Sequence, residues 1–165
     1  MPSDVEDFAI FMRFLDQPAA ACTISGPAAT CSASIQNGLA HFKAIGCALC
    51  HTPSTKTDAS DFTVTPPGLS NVQANLFSDL LLHHMGAGLN DGITQGAAGP
   101  DQFRTAPLWG IGQRLFFLHD GRTSDLLVAI GTHASPGSEA NGVILNFHLL
   151  TDAQKQDLLN FLRSL

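Results

Sequence analysis

Positive charge is what this sequence has least of: eight Lys and Arg stand against fourteen Asp and Glu in 165 residues, a formal charge of −6, and the eight cations form no cluster. Such a surface offers polyanions little to dock on, which argues against nucleic acid and anionic membranes as partners. A redox partner with a basic docking patch suits it better. No stretch approaches the roughly 18 apolar residues of a membrane span. The start, Met1 to Phe8, is acidic and carries neither the basic nor the apolar region of an export signal. Cysteine is scarce as well, four in all, so each pair calls for a reason. What is present, 44% hydrophobic and 13% charged residues, suffices for one domain with a real core and speaks against disorder.

Two of the four cysteines stand in Cys47-Ala48-Leu49-Cys50-His51, a C-x-x-C-H run with the form of a c-type haem attachment site. On a helical turn, thiols at i and i+3 can each add to a porphyrin vinyl group while the imidazole at i+4 reaches the iron. Ile35, Leu39, Phe42, Ile45 and Leu49 lead into the motif at roughly helical spacing, which predicts a helix from about Ser34 to Cys50 with its apolar face on the haem. Gly38 is costly inside a helix and so marks a close crossing with another one. The competing readings of the pair are a zinc site with distant His ligands and a thioredoxin-like dithiol; the latter needs a βαβ surrounding that the sequence lacks. Haem attachment leaves Cys22 and Cys31 as a pair across a Gly- and Pro-containing loop, expected to form a disulfide. That pairing and the haem both predict a periplasmic or otherwise exported, oxidising location.

The rest of the chain reads as helix and loop. Ser3 and Glu6 form a capping box ahead of Val5, Phe8, Met12 and Leu15; Pro18 to Ser34 is a linker; and Thr52 to Ser70 is a loop, expected to supply a carbonyl for the second nitrogen of His51. Helical patches are expected over Leu76 to Met85 and Ser124 to His133. A second capping box at Thr151 opens a terminal helix with the apolar stripe Leu158, Leu159, Leu162 and Leu165. Residues 1–33 thus form an N-terminal helix and linker, and 34–165 a mono-haem domain of the mainly α, cytochrome c-like class with long loops. Asp7, Phe11, Arg13 and Leu15 recur at the same spacing as Asp157, Phe161, Arg163 and Leu165. The first helix is therefore shaped like the last helix of such a domain.

Iron of this type takes a second axial ligand. Met85, the only methionine after the motif, is the expected one, with His83 and His84 as runners-up and Met12 a poorer alternative. Arg104, Arg114 and Arg122 are candidates for pairing with haem propionates, and Trp109 for donating its N–H there or packing on the ring edge. His133 and His148 carry no readable pattern.

The stretches I-Q-N-G-L-A-H-F, C-A-L-C-H, S-D-L-L-L-H-H-M-G, F-R-T-A-P-L-W-G-I-G and F-L-H-D-G-R occur in this order ahead of the terminal helix. In them the chain resembles the haem-bearing C-terminal half of the bacterial di-haem oxidoreductases, the thiol oxidoreductase group related to di-haem cytochrome c peroxidases. The resemblance implies a cytochrome c-like domain with Met85 as distal ligand, and makes Asp4 to Leu15 the end of a preceding haem domain. Only one C-x-x-C-H run is present, and His84 stands where an acidic residue is expected. The expectation is a haem c protein that transfers electrons to a redox partner or another haem subunit. The alternative is one half of a peroxidase-like or thiol-oxidising enzyme in which His119 and Asp120 act, or simply form a turn.

Overall fold

The computed structural model describes residues 3–22, 30–59 and 67–165. Five α-helices are found among them: α1 (Asp4–Arg13), α2 (Ala33–Ala44), α3 (Leu126–Gly131), α4 (Asn141–His148) and α5 (Asp152–Arg163). Four short strands complete the fold. Strands β1 (Thr55–Lys56) and β2 (Gln73–Ala74) pair antiparallel, as do β3 (Leu82–His84) and β4 (Gln102–Arg104), with His83 opposite Phe103. The architecture is thus a mixed small domain of helices and two two-stranded sheets, not helix and loop alone.

The crossing of α2 and α5 is the centre of the molecule. A Cβ on Gly38 would lie 2.1 Å from the Asp157 carbonyl oxygen and 2.6 Å from the Phe161 Cβ, so only glycine lets the two backbones approach this far. Polar bonds fix the register: the Ser34 hydroxyl donates to Asp157 at 2.5 Å, and Asn160 donates to Ser34 at 2.9 Å. Beside the crossing, Phe42, Phe77 and Phe161 meet edge to face with centroids 5.3 to 6.0 Å apart, and Leu126, Phe147, Leu158 and Leu162 close the core around them.

Both capping boxes are formed, Ser3 with Glu6 and Thr151 with Gln154. Their helices nonetheless differ in burial. No residue of α1 is buried, and Phe11 is 59% exposed while its counterpart Phe161 in α5 is fully buried. The segment after α1 reaches the body through Gln17, which accepts from the Asn75 N–H, and Ala21, whose N–H donates to the Ser164 carbonyl. The sulfurs of Cys22 and Cys31 lie at bonding distance, with their Cα atoms 5.1 Å apart. Most of the loop between them falls outside the described residues.

Three expectations about local structure are corrected. Helix α2 stops at Ala44 because Gly46 takes a left-handed conformation (φ +105°), so the C-x-x-C-H run sits on a separate 3₁₀ turn, Cys47–Leu49. The segment Leu76 to Met85 is not helical. Phe77 and Leu80 have positive φ, the Ser78 hydroxyl accepts from the Leu80 N–H, and the Asp79 carboxylate from the Leu81 N–H. Two consecutive side-chain turns thereby reverse the chain into β3. Helix α4 is an addition, and its Asn146 side chain donates to the Ile45 carbonyl, pinning the end of α2.

Candidate haem-binding site

The turn that follows Gly46 keeps helical pitch through the motif: the N–H groups of Cys50 and His51 both donate to the Cys47 carbonyl, the latter at 2.9 Å. The two thiols and the imidazole thus leave one turn together. A strap holds this turn in place. Asp79, Ser78 and Phe77 donate their N–H groups in succession to the carbonyls of Cys50, Thr52 and Pro53, and the buried Ser78 hydroxyl donates to the Thr105 carbonyl. The left-handed backbone of Phe77 (φ +50°) is strained for a bulky residue, and the strap and the buried ring hold it there.

The consequence is functional geometry. The Phe77 carbonyl, left free by the strap, accepts from His51 Nδ1 at 3.0 Å. The expected carbonyl partner therefore exists, but comes from beyond the Thr52 to Ser70 loop. With Nδ1 engaged, His51 has Nε2 without a partner among the described residues, the nitrogen a metal would take. Burial pushes the imidazole pKa down to about 4, so the ring is neutral, as ligation requires.

An apolar cavity opens in front of this turn. Cys47 and His51 stand on one side of it with Phe42, Leu158 and Leu162. The F-R-T-A-P-L-W-G-I-G stretch supplies Ala106, Pro107, Leu108 and Ile111, the next turn Phe117 and Leu118, and α3 Leu126, Ala129 and Ile130. Among the described residues, Arg114 and His133 are its only ionisable members besides Cys47 and His51. Such a lining fits a flat apolar macrocycle: the Cys47 thiol and a neutral imidazole, with Cys50 one turn on from Cys47, aliphatic and aromatic groups around, and a guanidinium suited to a carboxylate.

The two cysteines are free of each other, and the surroundings explain their state. Burial pushes the Cys47 thiol up to about 12; Cys50 is raised by burial and then by the carboxylates of Asp79 and Glu139. A dithiol redox centre needs the opposite, a stabilised thiolate. Among the described residues the ligand-like group near the motif is Cys50, Asp79 and His83, which leaves out Cys47 and does not make a paired-cysteine zinc site.

The remaining candidates are distributed as follows. Met85 follows β3, half-buried, with its N–H bonded to the Asp101 carbonyl and its own carbonyl accepting from Ser135; it is not among the residues lining the cavity. His83 lies between Asp79 (2.9 Å) and Glu139 (2.7 Å), which together raise its pKa, the Glu139 bond most. His84 bonds Asp101 and Gln102. Both rings serve polar networks outside the cavity. Arg104 is exposed on β4, and Arg122 pairs with Asp120 at 2.6 Å and donates to the Gly88 carbonyl. The Trp109 N–H donates to the Asn75 carbonyl at 2.6 Å, away from the cavity. His119 stacks on Phe103, and Gly121 (φ +67°) closes a tight turn that presents Phe117 and Leu118 to the cavity. Sequence reasoning missed His133; its only signal was a place at the end of a short apolar helix, which packing alone explains equally well.

No helix among the described residues is long and apolar enough to cross a membrane. Neither a curated protein nor a solved structure matches the chain. Over residues 10–165, however, it matches the family described as "Di-haem oxidoreductase, putative peroxidase". That match takes in the C-x-x-C-H turn, the strap and every wall of the cavity, so the chain belongs to the di-haem oxidoreductase family.

Proposed function

We propose that this chain is a c-type cytochrome domain that carries one covalently bound haem and passes electrons through it. Cys47 and Cys50 would form the thioether tethers and His51 the first axial ligand. The observation that carries the reading is the His51 ring, fixed through Nδ1 on the Phe77 carbonyl with Nε2 unpartnered beside Cys47 and the apolar cavity. When bound, the haem supplies a one-electron couple whose potential is set by its ligands and burial. The protein supplies position and environment. Phe77 orients the ligand, the apolar walls exclude water, and Arg114 at the cavity is suited to a propionate.

The partner in this reading is a second haem-bearing segment or a separate redox protein. Its support is the family's di-haem character together with α1, an amphipathic helix with no buried residue and built on the same spacing as α5. The pairing of Cys22 with Cys31 supports an oxidising, exported location. The peroxidase named in the family description supports a second reading, in which this domain feeds electrons to another haem. A spectroelectrochemical titration of the haem-loaded chain tests the first. It predicts a reversible one-electron transition and no peroxide turnover by the chain alone; rapid turnover by the isolated chain would favour the enzyme.

A further inference from the structure

Of the seven histidines, two line the cavity, and they share one hydrogen-bonding signature. His51 Nδ1 is bonded to the Phe77 carbonyl at 3.0 Å; His133 Nδ1 is bonded to the Ala129 carbonyl, one turn back along α3, at 2.8 Å. In both rings Nε2 has no partner among the described residues. A backbone carbonyl on Nδ1 fixes the tautomer that leaves Nε2 with its lone pair, which is how a histidine is prepared for a metal. Neither Nε2 is sealed from solvent, so each is open to a ligand entering the cavity that both rings line.

The two rings come to the one cavity from separate elements. His51 leaves the turn after α2, on the side of the cavity formed by α2 and α5. His133 follows the last turn of α3, whose Leu126, Ala129 and Ile130 line the cavity together with it. His133 is also fixed from behind: its own carbonyl accepts from the Ser138 hydroxyl at 2.6 Å and its N–H donates to Ile130. Met85, the expected second ligand, does not line the cavity, although the loop that follows Gly86 is bonded to the 135–138 segment next to His133.

We propose that His133, through Nε2, is the second axial ligand of the haem held by Cys47, Cys50 and His51, giving two imidazoles in place of imidazole and thioether. The assignment rests on the reading of the cavity as the haem site. Two imidazoles also imply a lower potential than a His/Met pair, because the thioether favours reduced iron.

The test uses the full haem-loaded chain and spectroscopy rather than turnover. The ferric protein is expected to be low-spin without the far-red charge-transfer band of a Met sulfur–iron bond. His133→Ala is expected to turn it high-spin, with low-spin character restored by added imidazole, and Met85→Ala to leave the spectrum unchanged. His133→Met, which keeps a ligand at that position should the alanine variant fail to fold, is expected to create the far-red band and raise the midpoint potential. A wild-type far-red band that disappears in Met85→Ala overturns the assignment and leaves the haem reading intact, as does a high-spin wild type. A chain that retains no haem after denaturing extraction overturns both.

Discussion

Replacing His51 with alanine is expected to have the largest effect of any single change in this protein. In the proposed site the ring is a ligand, and it is also a packing element, tilted against Phe42 with centroids 6.4 Å apart. Its loss leaves a cavity beside the aromatic cluster, and leaves the Phe77 carbonyl, aimed by a strained backbone, without its partner. Together these are worth on the order of 3 kcal/mol of stability. In the haem-loaded chain the low-spin spectrum is expected to disappear. Added imidazole is expected to recover it in part, because the cavity left behind has the shape of the missing ring. Circular dichroism melts and ferric absorption spectra of the variant, with and without imidazole, check both effects; an unchanged spectrum would remove His51 from the iron.

Gly38→Ala is expected to be the most damaging of the small substitutions. The added methyl would meet the Asp157 carbonyl at 2.1 Å, a backbone atom that cannot swing aside as a side chain end would. Helices α2 and α5 must separate, opening the Phe42, Phe77 and Phe161 cluster on which His51 rests. Overpacking of this kind costs about 1–3 kcal/mol, and helix propensity returns less than about 1 kcal/mol. The expected net loss of about 1–2 kcal/mol lowers Tm by roughly 2–8 °C. Gly142→Ala, inside α4, is the control: nothing lies within 4 Å of its added carbon. There propensity acts alone, and a small rise in Tm is expected. A Gly38→Ala protein as stable as the control would mean that the crossing is looser than described.

The parts of this fold legible in the sequence are those written in local chemistry. Ser3 with Glu6 and Thr151 with Gln154 are helix starts that need no tertiary partner, and C-x-x-C-H is a single contiguous turn. Gly38 announced the crossing because a glycine inside an amphipathic helix needs a reason. Where the sequence misled, a non-local interaction or an unusual backbone prevailed. Leu76 to Met85 has apolar residues at helical spacing, yet Ser78 and Asp79 use their side chains to bend the backbone, and β4, some 20 residues away, supplies the pairing. Gly46 could have been recognised as a helix stop, since it follows the apolar run and precedes the motif.

The site shows the same division. Cys47, Cys50 and His51, the centre of the proposed site, stand out in the sequence because they are contiguous. Of the walls only Arg114 stood out, as a propionate candidate; Leu118 and His133 come together only through the turn at Gly121 and the short helix α3. Trp109 and Arg104 looked like cofactor contacts because their chemistry suits a propionate. Trp109 instead spends its N–H on the Asn75 carbonyl, and Arg104 stays exposed on a strand whose neighbour Phe103 stacks on His119. Helix α1 is the opposite case. Its sequence matches that of α5 at Asp7, Phe11 and Arg13, but Phe161 is buried against α2 while Phe11 stays 59% exposed.

The claim on which the rest depends is that this chain carries a haem by covalent bonds from its one C-x-x-C-H turn. It is tested most directly by the intact mass of the protein, produced in cells that mature c-type cytochromes and then denatured in acidified organic solvent. The account predicts a mass increased by one haem that survives the extraction in the wild type, and no such increase when Cys47 and Cys50 are both replaced by serine. A wild-type chain that loses all its haem on extraction, or a double variant that retains it, would contradict it.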